Sequence, residues 1–94
     1  MRKIIFSKRA SSRLEALLLY LEREWSVKVK YSFIAKLDKG LEQIQNHPDS
    51  CPTTDAVKRL HRMIITKQTS IFYRYDLESI IIVSVSDNRM NPKA

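Results

Sequence analysis

Hydrophobic residues recur at every third or fourth position in the first half of the chain, which predicts two consecutive helices. The first should begin after Ser7, whose hydroxyl suits an N-cap, and run to about Trp25. The second should begin after Ser26 and run to about Asn46. Because the join is very short, we expect an antiparallel hairpin. The two apolar stripes are Ala10, Leu14, Leu17, Leu21 and Trp25, then Phe33, Leu37, Leu41 and Ile44.

The second half of the chain is rich in β-branched and aromatic residues. A short run near the N-terminus has a similar composition. Strands are predicted at Lys3–Phe6, Val57–Thr66, Ser70–Asp76 and Ile80–Ser86. The last three are separated by short polar connectors and should form an antiparallel meander. The order β-α-α-β-β-β predicts an α+β two-layer sandwich, with the helical hairpin on one sheet face and the other face open.

Alternation assigns side chains of these strands to faces. Ile81, Val83 and Val85 of the last strand are predicted to point the same way.

Gly40 lies inside the second helix, where glycine lowers helix stability by about 1 kcal/mol relative to alanine. A close approach to the first helix would explain it.

Length and composition narrow the class of protein. The chain has 94 residues, of which 44% are hydrophobic and 29% charged, which fits one domain over residues 1–94 and excludes a large multi-layer enzyme fold. No apolar run approaches the ~20 residues of a membrane span, and we expect a cytoplasmic chain. The single Cys51 excludes an internal disulfide framework. His47, Cys51 and His61 lack a fourth ligand, so neither a metal site nor a cofactor is predicted.

The charge is strongly positive. Seventeen lysines and arginines against ten acidic residues give +7, and seven basic against three acidic residues follow position 56. This excess predicts an anionic partner, with a merely solvated basic surface as the alternative. The candidate nucleic-acid contacts are Arg59, Arg62, Lys67, Arg74 and Arg89. Lys8, Arg9 and Arg13 place positive charge at the start of the first helix, where the helix dipole makes cations unfavourable. This conflict suggests that they bind an acidic partner or RNA. The alternative is that the protein tolerates a small loss of stability at its surface.

The strands also predict which charged side chains meet. Arg59, His61 and Met63 share one face of their strand, and Arg74 projects from the neighbouring strand. A cluster of Arg59, His61, Arg74 and Arg89 is therefore predicted on the open sheet face. There His61 would act as general acid or base, and the arginines would hold phosphate. The alternative is a structural histidine on a solvated face.

Four segments also carry a resemblance to a known family. They are Phe6–Ala10, Leu41–Pro48, Phe72–Tyr75 and Ile82–Pro92. In this order and spacing the whole chain resembles the RelE/ParE superfamily of toxins from type II toxin–antitoxin systems. The resemblance implies a small basic toxin of a plasmid-stabilisation module, which arrests growth and is neutralised by a cognate antitoxin.

The resemblance leaves two activities open. ParE-like members inhibit DNA gyrase and are not nucleases, whereas RelE-like members cleave messenger RNA in the ribosomal A site. In a nuclease the catalytic residues would be Arg89, Arg74, Arg59 and His61. This chain has Ser70 where the RelE-like pattern has an arginine, and no Tyr or His follows Arg89. These departures favour the ParE-like branch. A non-toxic basic nucleic-acid-binding domain is a further alternative.

Overall fold

The structure is a computed structural model that describes residues 1–55 and 59–90. A helical hairpin lies on one face of a five-stranded sheet, which confirms the α+β two-layer architecture. The elements are β1 Lys3–Phe6, α1 Lys8–Glu24, α2 Val27–Asn46, β2 Thr53–Asp55, β3 Leu60–Ile64, β4 Thr69–Tyr75 and β5 Ser79–Asp87, followed by a 3-10 turn at Asn88–Met90. Within this described part, no helix has the length and hydropathy needed to cross a membrane.

The sheet is mixed, with the strand order β1-β5-β4-β3-β2. Strands β3, β4 and β5 form the predicted antiparallel meander, and β1 pairs with β5 in parallel. The connection between the parallel strands β1 and β5 is long and contains α1, α2 and strands β2 to β4. Strand β2 pairs antiparallel with the outer edge of β3 and was not predicted. With only three residues, it gives no alternation that a sequence pattern could detect.

Both predicted N-caps are confirmed. The Ser26 hydroxyl accepts a hydrogen bond from the Val29 amide at 3.1 Å. The Ser7 hydroxyl accepts from the Ala10 amide at 3.0 Å and also donates to the Val83 carbonyl at 3.0 Å. One side chain thus caps α1 and fastens it to β5, which fixes the helix start against the sheet.

The core lies between the helices and the sheet. Apolar stripes of α1 and α2 meet one face of β3, β4 and β5. Its buried members are Ala10, Leu17, Leu21, Phe33, Leu37, Ile44, Met63, Ile71, Tyr73, Ile80, Ile82 and Val85. The other sheet face is left uncovered by the helices.

Strand β5 contains a bulge that the sequence did not reveal. Phe72 pairs with Ser84 while Tyr73 pairs with Ile82, so Val83 is an extra residue without a partner in β4. The prediction that Ile81, Val83 and Val85 share one face is therefore wrong, because the extra residue reverses the alternation. Val85 is buried in the core.

Gly40 lies against β3 and not against α1, which corrects the predicted approach. A Cβ atom at Gly40 would lie 3.0 Å from Sδ of Met63 and 3.1 Å from Cδ1 of Ile65. Gly40→Leu is therefore expected to overpack this contact and lower the free energy of unfolding by about 2 kcal/mol. Urea unfolding provides the measurement. Ala35→Leu, at an exposed site of the same helix, is the matched control and should change stability by less than about 0.5 kcal/mol.

Candidate functional site

His61 lies on the helix-covered face of the sheet. Its ring stacks on Tyr73 with centroids 5.1 Å apart, and Tyr75 lies at 5.3 Å. Nδ1 is 2.7 Å from the Cys51 carbonyl oxygen. Because a carbonyl can only accept, Nδ1 carries the proton. The ring is thus held by two tyrosines and one backbone hydrogen bond.

Tyr73 is the buried residue on which the His61 ring packs. Its side chain is fully buried, and its hydroxyl donates to the Pro48 carbonyl at 2.8 Å. Burial raises the pKa of Tyr73 far above the usual tyrosine range, and the neighbouring Cys51 side chain adds to the rise. The residues around His61 therefore link β3 and β4 to the chain that follows α2.

The arginines of β3 and β4 occupy the opposite, open face. Arg62 pairs with Phe72 across the strands, and its Nε donates to the Ser70 hydroxyl at 3.1 Å. Arg74 follows two residues after Phe72 on β4 and is exposed. These two guanidinium groups place positive charge on the open face of the sheet.

Arg89 belongs to a third location, at the end of β5. Its guanidinium contacts the Asp87 carboxylate at 2.9 and 3.2 Å, and its amide donates to the same carboxylate at 2.8 Å. The buried Thr69 hydroxyl also donates to Asp87. Burial pushes the pKa of Asp87 upward, but the hydrogen bonds from Arg89 and Thr69 outweigh it and hold that pKa below its usual range.

The predicted cluster of Arg59, His61, Arg74 and Arg89 is not formed. His61 faces the helices because Met63, two residues along, is part of the core. Arg74 faces the other way, and Arg89 borders a cleft lined by α1 and α2. Arg59 is exposed before β3 with a positive φ of 55°. The side chains of His61, Arg74 and Arg89 thus occupy separate surfaces.

The other predicted contact residues are exposed. Lys67 lies in the turn between β3 and β4. Lys8, Arg9 and Arg13 lie near the start of α1, where Arg9 and Arg13 share a helix face. His47 is the C-cap of α2. No cluster of His, Cys, Asp or Glu suited to a metal ion occurs among the described residues.

Sequence reasoning missed a groove of about 570 Å³ on the open sheet face. Its lining includes Arg9, Leu60, Phe72, Val83 and Ser84. The bulge at Val83 helps to shape this groove, and a bulge has no recognisable pattern in the sequence. The only available signal was the apolar character of Leu60 and Phe72 at positions that alternate with core residues.

The geometry describes a small basic α+β domain whose charged side chains are distributed over several surfaces. The family model described as "ParE toxin of type II toxin-antitoxin system, parDE" matches residues 4–92. The chain therefore belongs to the ParE toxin family, as the toxin of a type II toxin–antitoxin module. This confirms the predicted resemblance and its ParE-like branch.

The fold comparison agrees with this assignment. A chain of the solved structure described as the chromosomal ParDE TA system from P. aeruginosa superposes with a TM-score of 0.74. The match covers 93% of this chain and 96% of that chain at 11% sequence identity, so it shows a shared fold. No curated protein sequence matches the chain.

Proposed function

We propose that this toxin acts in the cytoplasm by binding and inhibiting DNA gyrase, without nuclease activity, and that a cognate antitoxin neutralises it by direct binding. The observation that carries this proposal is the separation of the candidate catalytic groups. Cleavage of RNA needs a general base and cationic groups around one phosphate. Here His61 faces the helices, while Arg74 lies on the opposite face of the same sheet.

The partners of these groups support the same conclusion. His61 Nδ1 is engaged by the Cys51 carbonyl, and the Arg89 guanidinium is engaged by Asp87. Each of these contacts has a structural role. The positions of His61 and Arg89 are therefore explained without a catalytic role in RNA cleavage. Arg62 and Arg74, of the predicted nucleic-acid contacts, share the open face and remain candidates for an anionic partner.

His61→Phe tests this mechanism, because phenylalanine keeps the aromatic stack and removes the acid–base group. We expect the wild-type chain and the variant to inhibit supercoiling by purified gyrase at the same concentration. The measurement is a plasmid supercoiling assay, with circular dichroism to confirm that the variant is folded.

A parallel assay on translating ribosomes examines the alternative. Neither protein should cleave messenger RNA there. Ribosome-dependent cleavage by the wild type that falls by about 100-fold or more in His61→Phe would establish the RelE-like endoribonuclease instead. Tight binding to DNA or RNA without gyrase inhibition and without cleavage would favour the non-toxic nucleic-acid-binding domain.

A further inference from the structure

One side of α2 carries a row of exposed basic and neutral polar side chains. Ser32, Lys36, Lys39 and Gln43 recur at spacings of three and four residues, so they form one line along about 16 Å of the helix. Lys28 continues this line one turn earlier. We call these five residues the basic flank.

Two clefts lie between the basic flank and the sheet. The first, of about 250 Å³, lies against the end of β3, and its polar lining residues are Lys36, Lys39 and Gln43. The second, of about 220 Å³, adjoins the first at Lys36 and reaches Thr66, Gln68 and Arg89. Lys67 is exposed between Thr66 and Gln68, in the turn that borders this second cleft. Basic residues from α2, from this turn and from the end of β5 therefore surround one depression.

The acidic residues in this part of α2 lie on the other side of the helix. Gly40 faces β3, because a Cβ atom there would lie 3.0 Å from Sδ of Met63. Asp38 and Glu42 lie two residues before and after Gly40, so each is turned about 160° away from β3. Lys36 and Lys39 form no ion pair with another described residue. Their charge is therefore available to an anionic ligand.

The side chains of the basic flank suit a phosphate backbone better than an acidic protein. Lysine, serine and glutamine all contact phosphate oxygens in nucleic-acid complexes, whereas lysine is depleted in protein–protein interfaces. Phe33 is the one aromatic residue among the described side chains that line the two clefts, and it is buried. The bases of a single strand would therefore find no exposed ring on which to stack, which favours a duplex.

We propose that the basic flank binds the phosphate backbone of double-stranded DNA, independently of base sequence. The choice of DNA over RNA rests on the proposed function, because gyrase acts on DNA. Lys36 and Lys39 each neutralise one phosphate and release its counterions. Arg89 contributes less, since Asp87 already neutralises part of its charge. The toxin would thus hold the DNA as well as the enzyme that acts on it.

Fluorescence anisotropy with a fluorescein-labelled DNA duplex of about 20 base pairs tests this assignment. The full chain is titrated to about 100 µM in about 0.1 M salt, which covers the usual range of non-specific affinity. Lys36→Gln and Lys39→Gln should each weaken binding by about fivefold or more. Each should also reduce the steepness of log K against log salt concentration by about 0.9, the value for one phosphate contact. Lys36→Arg keeps the charge and should bind like the wild type.

Lys3→Gln is the matched control, because it makes the same charge change at an exposed position of β1. Lys3 pairs with Ser79, and Asp87 lies eight residues further along β5, which is about 26 Å away. At that distance salt screens the lost charge, so affinity should change by less than about twofold.

The proposal is overturned if the duplex does not bind or if Lys3→Gln weakens binding as much as Lys36→Gln. Tighter binding of an RNA duplex, an oligothymidine or a polyglutamate peptide of equal charge would also overturn it, in favour of that ligand. Gyrase is absent from this assay, and its inhibition is measured separately on the same protein. A failure of DNA binding is therefore distinguished from a failure of the proposed target.

Discussion

Replacing Asp87 with alanine is expected to lower the free energy of unfolding by about 3 kcal/mol. The carboxylate is 2% exposed and accepts hydrogen bonds from the Arg89 guanidinium, the Arg89 amide and the Thr69 hydroxyl. Its removal leaves the fully buried Thr69 hydroxyl without its acceptor and a partly buried guanidinium without its counter-charge. Urea unfolding at pH 7 gives the value directly.

Asp38→Ala is the matched control, because it removes an exposed carboxylate from α2. The expected change there is less than about 0.5 kcal/mol. Asp87→Asn should lie between the two, since its amide oxygen still accepts a hydrogen bond while the charge is lost. Equal effects of Asp87→Ala and Asp38→Ala would contradict a structural role for the contact between Asp87 and Arg89.

The same carboxylate predicts how stability responds to acid. Its pKa is lowered in the folded state, so the stabilisation is complete above the ordinary aspartate value of about 3.9 and is lost as the pH falls through the folded pKa. Between pH 5 and pH 3 the wild type should therefore lose more stability than Asp87→Asn. Parallel losses in the two proteins would show that other carboxylates dominate the acid response.

The helices were predictable because their pattern is long and repeated. The caps Ser7 and Ser26 and the apolar stripes gave both helices to within a residue or two of their observed ends. The strands of the meander were also found, although the start of the predicted Val57–Thr66 strand falls partly outside the described residues. Within the described part β3 is shorter and spans Leu60–Ile64. Strand ends depend on pairing with neighbours, which a local pattern does not record.

The arrangement of the charged side chains was less predictable. In β3, His61 and Met63 alternate with Leu60 and Ile64, so both faces of the strand carry apolar residues. Met63 packs under α2 and therefore lies on the covered face of the sheet. His61 lies two residues earlier on the same strand and so faces the same way. In β5, one extra residue moved Asp87 to the core side, where it meets Thr69. Each outcome depends on tertiary contacts, and a one-residue shift in alternation reverses it.

Tyr73→Ala is expected to lower the free energy of unfolding by about 4 kcal/mol, which is a large share of the stability of a domain of this size. The ring is fully buried at the centre of the sheet and supports His61 from below. Its loss leaves a cavity between β4 and the helices. Thermal and urea unfolding measure the effect, and Tyr31→Ala is the control because the Tyr31 side chain is 59% exposed on α2.

Tyr73→Phe isolates the hydroxyl and predicts an alkaline response. The variant should lose about 1.5 kcal/mol at pH 7, because the buried Pro48 carbonyl is left without its donor. The raised pKa of Tyr73 means that stabilisation by the neutral phenol is complete below the ordinary tyrosine value of about 10 and is lost as the pH rises toward the folded pKa. The wild type should thus lose more stability than Tyr73→Phe between pH 9 and pH 11. A difference between the two proteins that stays constant over this interval would show that Tyr73 ionises no later in the folded chain than in the unfolded one.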